Sequence, residues 1–299
     1  MSIAVQFDQP LGGRVRRALV HGGAVNVTSP STTSVALASF ARELTGDAFG
    51  GRDPELAQFD LPVADHEAIL AALTRRFTVH PESTRLLRDL LLERGCDPET
   101  TYVGVPRLCV STGNVTGAAA WRPHRDTWRS APPAQLNHWM PVYEVDEDNA
   151  VALHLEYFSQ AIANDSAGYD HHDWTRAVGA TRPLPAATET VPFSASTFVT
   201  PVGSVLQFSG QHLYSTVPNE ADRTRFSIEF ATLDVGDVRA GLGARNVDGR
   251  CTGSTVRDFV RAVDLSPVPE DVVALLDHRG DSGDDRAHVA HPRPAFTKA

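Results

Sequence analysis

The chain has 299 residues, of which 41% are hydrophobic and 21% charged. That is enough apolar material for a full core, and it excludes a wholly disordered, collagen-like or disulfide-scaffold protein. The formal net charge of −10 argues against binding nucleic acid by general electrostatic attraction, while leaving room for a small anion in a locally basic pocket.

Residues up to about Ser31 are Gly-rich and mixed and give no firm assignment. Val35, Leu37, Ala38, Ala41 and Leu44 follow a helical stripe, with Gly46 as the expected stop. Asp65 is placed to cap a second helix carrying Ile69, Leu70, Leu73 and Phe77. Pro81 suits the first position of a third, which continues through Leu86, Leu87, Leu90 and Leu91 to Gly95. A helical region is therefore expected over about 31–95. The pattern then changes. Tyr102–Val110 and Ala134–Val145 read as strands, and Pro141 in the latter predicts an edge or bulge. Val151–Leu155 is a short apolar run. Val202–Phe208 and Arg223–Leu233 are the clearest strands. Strands joined by turns rather than helices predict an antiparallel barrel or sandwich. The polar segment 159–192 reads as a lid-like insertion. Helices are expected again at Ser254–Val263 and Pro269–His278. One domain over 1–278 is expected, with a charged, disordered tail at 279–299.

Cys96, Cys109 and Cys251 are few and form no CxxC, which excludes a zinc ribbon or thioredoxin motif and fits a reducing compartment. The start (MSIAVQFDQPLGGRVRR) lacks the apolar stretch of a signal peptide, and no run reaches the roughly 18 apolar residues of a membrane helix. A soluble cytoplasmic protein without a membrane partner is expected.

The segment WRPHRDTWRSAPPAQLNHWMP carries the chemistry. His124 and Asp126 are two apart, so on an extended strand both face one side and can meet one metal ion. His212 in FSGQHLYST, at a turn after the strand VGSVLQF, is the candidate third ligand. Two imidazoles and one carboxylate leave open positions that suit non-haem Fe(II) with a co-substrate and O2. Downstream, Arg223 and Arg225 share a strand face, and a guanidinium fork matches the distal carboxylate of a 2-oxo acid. Ser227 forms an Arg-x-Ser pattern with Arg225 and offers a hydroxyl to the same carboxylate. Arg225 is favoured, with Arg223 as the alternative.

His124-x-Asp126, a distant His212 and a basic residue shortly after it resemble the Fe(II)/2-oxoglutarate dioxygenases, in particular the phytanoyl-CoA dioxygenase-like branch. The matching segments run from about Tyr102 to Leu233. The resemblance implies a mainly β, double-stranded β-helix (jelly-roll, cupin-like) core with helices at both ends. It also implies Fe(II), 2-oxoglutarate consumed to succinate and CO2, O2, and a small-molecule substrate in specialised metabolism. Halogenating relatives have Ala or Gly where Asp126 stands, so hydroxylation is expected. Desaturation, cyclisation, epimerisation and epoxidation are open alternatives within the same chemistry. A Zn or Mn cupin-type hydrolase or isomerase, or a non-catalytic jelly-roll binding protein, are the alternatives outside it.

Gln135, Asn137 and Trp139 alternate on one strand face. The two amides are candidates to bind the 2-oxo acid and Trp139 to wall the site, with barrel packing as the competing use. Thr127 and Trp128 follow the metal motif and are placed to shape the pocket. Adjacent His171 and His172 cannot easily share one ion on a strand. His171, Tyr157 and Trp174 are candidate substrate contacts from the insertion.

Overall fold

The computed structural model describes residues 5–113, 122–176, 184–191 and 195–277. The expected tail at 279–299 and parts of segment 159–192 lie outside the described residues. The stretch without a sequence assignment supplies β1 (Val5–Phe7), α1 (Arg14–His21) and β2 (Val25–Thr28), with the two strands paired in parallel. Helix α2 (Thr32–Phe49) starts from a capping box between Ser31 and Ser34. It runs through Gly46, where a stop was expected, because the apolar stripe continues to the buried Phe49. It ends instead at Gly50, whose φ of 62° is left-handed. Helices α3 (Ala57–Asp60), α4 (Val63–Val79) and α5 (Pro81–Glu93) follow. Asp65 sits in the first turn of α4 rather than capping it, and Pro81 opens α5 as expected.

The expected strand at 102–110 is two strands, β3 (Thr101–Val103) and β4 (Arg107–Ser111), parted by Gly104-Val105-Pro106. Then come β5 (Gln135–Pro141), β6 (Val151–Leu153), α6 (His171–Arg176), β7 (Ser196–Phe198), β8 (Val205–Ser209), β9 (Tyr214–Thr216) and β10 (Arg225–Asp234). After α7 (Val235–Arg239), the segment expected to be helical at 254–263 forms one 3-10 turn and the short strand β11 (Val260–Arg261). The reason is tertiary: Val260 pairs with Val103 while Val256 and Phe259 pack against Tyr102. Helix α8 (Glu270–Leu276) closes the described chain.

The strands make two sheets. The larger is mixed, in the order β1-β2-β8-β5-β10-β3-β11, with β4 also paired to β10; the smaller is β7-β6-β9. β5 is central, between β8 and β10, not an edge. Pro141 is tolerated because it is the last residue of the strand.

Strand alternation sorts β10 cleanly. Phe226, Ile228 and Phe230 pack into the core formed with Leu37, Leu73, Phe77, Leu87 and Leu90 of the helices. Arg225, Ser227 and Glu229 therefore face the other way, toward the smaller sheet. Likewise Met140 packs on the helical side and Trp139 in the opposite cluster. There Val25, Leu206 and Phe208 of the larger sheet meet Val151, Leu153 and Phe198 of the smaller one. Among the described residues no helix is long and apolar enough to cross a membrane.

Candidate active site

The His124–Asp126 segment is clamped to the turn between β8 and β9. The backbone N–H groups of Asp126 and Thr127 both donate to the Gly210 carbonyl, at 3.0 and 3.3 Å. Arg125, 0% exposed, points away from the site and reaches the carbonyls of Gln211, Tyr157 and Gln160 and the carboxylate of Asp248. Its flanking residues are thereby turned toward the space between the sheets.

His124 and Tyr214 exchange both backbone hydrogen bonds, at 2.9 and 3.0 Å, and so stand directly opposite each other. Nδ1 of His124 lies 3.0 Å from the Arg122 carbonyl. The proton on Nδ1 donates there and leaves the Nε2 lone pair available, the tautomer a metal ligand requires. Burial, aided by the charge of Arg129 and opposed by Asp126, pushes the His124 pKa down to about 4.

Asp126 is held by three donors. Asn137 Nδ2 at 2.6 Å and Gln135 Nε2 at 3.1 Å donate to Oδ2, and the Tyr214 hydroxyl donates to Oδ1 at 2.8 Å. Gln135 also donates to Asn137 Oδ1 at 2.8 Å, so the two amides form one bracket. Gln135 and Asn137 thus orient the carboxylate. Burial and the adjacent Asp126 raise the Tyr214 phenol well above its ordinary pKa, so with no metal bound it is the donor of this pair.

His212 does not join this group. It is 0% exposed; its Nε2 lies 3.1 Å from the Gly23 carbonyl, and its Nδ1 lies 3.1 Å from the Ser209 N and 3.2 Å from the Ser209 O. Phe158 packs on the ring at 4.6 Å. The cause is register: the turn ends at His212, and the residue that β9 sets opposite His124 is Tyr214. Among the described residues no three His, Cys, Asp or Glu side chains gather within reach of one ion. The residues present therefore fit a metal through His124 and Asp126, and they do not fit a two-histidine triad through His212.

The two arginines separate. Arg223 precedes β10, does not share its inward face, and pairs with Asp146 at the surface. Arg225 is buried, 4% exposed; its Nη1 donates to the Asn149 carbonyl at 3.1 Å, and its Nε has no partner among the described residues. Burial lowers its pKa, opposed by Glu229. Ser227, next on the same face, also has a buried hydroxyl without a partner there.

The remaining candidates are placed as follows. Thr127 donates to the side chain of Gln211 at 2.9 Å, and Trp128 donates to Asp248 at 2.7 Å within a small core of its own; both are structural in these contacts. Trp139 lines the inter-sheet cluster, its indole N–H without a described partner. Tyr157 gives its carbonyl to Arg125, and His171 faces Asp258 at 3.2 Å. The side chain of Trp174 lies outside the described residues.

The sequence reading missed two groups. Strand alternation over Tyr214-Ser215-Thr216 signals Tyr214, since it sets the register, whereas ligand chemistry alone points to His212. Glu229 shares the inward face of β10 with Arg225, and its charge acts on both Tyr214 and Arg225.

No family model matches the chain, and no curated protein sequence matches it. Solved structures with a similar chain path include the non-heme monooxygenase ThoJ in its apo form, with TM-score 0.41, 13% identity, and 67% of this chain and 70% of that one covered. Another is the epimerase SnoN in complex with Fe3+, alpha ketoglutarate and nogalamycin RO, with TM-score 0.39, 15% identity, and 74% and 83% covered. A third is EvdO2 from Micromonospora carbonacea var. aurantiaca complexed with 2-oxoglutarate, with TM-score 0.45, 12% identity, and 76% and 94% covered. At these values no residue role transfers to this chain.

Proposed function

We propose that this chain is a non-haem iron, 2-oxoglutarate-dependent oxygenase with a double-stranded β-helix core, acting on a small molecule of specialised metabolism in the cytoplasm. The observation that carries the reading is the proximity of a His124 imidazole anchored through Nδ1 to an Asp126 carboxylate already oriented by Gln135 and Asn137. Second to it is Arg225, a buried guanidinium on the same inter-sheet side whose Nε has no partner among the described residues. The amide bracket fixes the direction of the Asp126 carboxylate, as outer partners of metal ligands do.

Bound iron and a 2-oxo acid, with O2 as the oxidant, would supply the power to break an unactivated C–H bond. The protein's own part is positional. Arg225 offers its fork to the distal carboxylate of the 2-oxo acid, and the Ser227 hydroxyl adds a donor from the same face. Trp139, Leu206 and Phe208 exclude water from that space. Because Asp126 is a carboxylate, hydroxylation is the preferred outcome over halogenation.

The test is turnover. With Fe(II), ascorbate, 2-oxoglutarate and air, succinate should form slowly without added substrate, should require both iron and O2, and should be lost in Asp126→Ala. Iron bound with no succinate formed under any of these conditions would contradict the oxygenase reading and leave the Zn or Mn hydrolase or isomerase.

A further inference from the structure

We propose that Tyr214, not His212, is the third protein ligand of this centre, so that the ion sits among one imidazole, one carboxylate and one phenolate. The inference rests on the metal site proposed above and changes its character.

Three observations place Tyr214 there. The backbone bridge sets it opposite His124, so the two side chains leave the same side of the paired strands, with ring centroids 4.3 Å apart. Its hydroxyl touches the second ligand directly, 2.8 Å from Asp126 Oδ1. The phenol on β9 therefore touches both the imidazole and the carboxylate of the facing segment, where His124 is bridged to Tyr214 and Asp126 begins a 3-10 turn. The histidine that ends the turn is committed elsewhere. His212 is seated on the Gly23 carbonyl, and this seat is built for it. Gly23 has a φ of 102°, and a Cβ there would lie 2.7 Å from the Phe158 ring that covers His212. Turning His212 toward Asp126 would break its contacts with Gly23, Ser209 and Phe158 together.

The chemistry follows from the donor set. On binding, the Tyr214 O–H bond breaks, the oxygen–metal bond forms, and the proton leaves to solvent. Two anionic oxygens and one nitrogen make a harder, more negative site than two imidazoles and one carboxylate. Such a site favours Fe(III) over Fe(II), and a phenolate on Fe(III) absorbs visible light by charge transfer to the metal.

The experiment is iron loading without 2-oxoglutarate. Wild type, Tyr214→Phe, Tyr214→His and His212→Gln are titrated with ferric nitrilotriacetate, and then anaerobically with Fe(II). Visible absorption, resonance Raman of tyrosinate modes, bound iron and far-UV circular dichroism are recorded for each. Wild type should bind one Fe(III) with a visible band and tyrosinate modes. Tyr214→Phe should keep its fold, lose the band and bind Fe(III) at least tenfold more weakly. Tyr214→His should lose the band and shift preference toward Fe(II), while His212→Gln should retain the band. Iron bound by wild type without tyrosinate modes, or a band that survives Tyr214→Phe, overturns the assignment of Tyr214 and leaves the metal site standing. No iron bound in either oxidation state overturns both.

Discussion

Asp126 and Tyr214 are joined by a 2.8 Å hydrogen bond, the phenol donating to Oδ1, although 88 residues separate them in the chain. Both are set by one piece of geometry: Asp126 docks by its backbone on the Gly210 carbonyl, and Tyr214 follows the same turn into β9. The turn thus brings a carboxylate and a phenol together beside His124, and the behaviour expected of the protein follows from how this group is held.

The amide bracket predicts graded effects on metal affinity. Asn137 makes the shortest bond to Asp126, and Asn137→Ala removes it while also freeing Gln135 from its partner. Loss of such an outer partner weakens metal binding by roughly 10–100-fold. Gln135→Ala should have the smaller effect, because its bond to Asp126 is longer at 3.1 Å. Equilibrium dialysis with iron or manganese ranks the two, and equal affinities for both variants and wild type would remove the bracket from the account.

The two arginines predict different responses to a dicarboxylate. Arg225→Gln should raise the Kd for 2-oxoglutarate by about 100-fold, the value of roughly two lost charge-assisted hydrogen bonds. Arg223→Ala should change it less than about threefold, since that residue pairs with Asp146 at the surface. Isothermal titration of the metal-loaded protein reads both numbers, and the reverse order would move the clamp to Arg223.

Arg125 predicts a stability effect without any ligand. Its guanidinium is wholly buried, and Asp248 balances it while also accepting the Trp128 indole and the Ile162 N–H. Asp248→Ala leaves that charge unpaired, at a cost of about 3–5 kcal/mol, and Asp248→Asn should cost less because it keeps the shape. Urea unfolding measures the difference. Near-equal stability of wild type and Asp248→Ala would show that the carbonyls of Gln211, Tyr157 and Gln160 suffice for Arg125.

Buried histidines predict sensitivity to acid. His138 stacks on Phe230 at 4.6 Å, and burial pushes its pKa down to about 3; burial likewise takes His212 to about 4. Both lie below the value of about 6.5 in the unfolded chain, so the unfolded state binds more protons in that interval. Their contribution is complete above pH 6.5 and is lost as pH falls toward 4 and then 3, by about 1.4 kcal/mol per pH unit for each group. The urea midpoint of the metal-free protein should fall steadily from pH 6.5 to 4.5, and His138→Gln should reduce the slope. A midpoint independent of pH over that range would contradict the neutral, buried assignment.

The strands that carry the site were largely legible in the sequence because apolar alternation fixes them. VGSVLQF and RTRFSIEFATL are β8 and β10, shortened at their starts where Gly203 and Thr224 precede the ladder. Helices α4 and α5 were legible for the same reason, from leucine spacing and Pro81. What could not be read was long-range. β1 and β2 have too few residues to show a period, and β11 exists because Val103 is available to pair with it. At the site, the His124-x-Asp126 spacing located two of the converging groups. The third depended on where the 210–212 turn ends, and a shift of two residues separates His212 from Tyr214. Ligand chemistry alone points to His212, whereas the register brings Tyr214 opposite His124.

The most direct measurement is an anaerobic titration of the metal-free protein, first with Fe(II) under reductant and then with 2-oxoglutarate, followed by visible absorption. The account predicts a metal-to-ligand charge-transfer band that saturates at one equivalent, is lost in Asp126→Ala, and needs far more 2-oxoglutarate in Arg225→Gln. Bound Fe(II) with no such band at saturating 2-oxoglutarate would contradict the central claim that His124, Asp126 and Arg225 serve one iron and 2-oxo acid site.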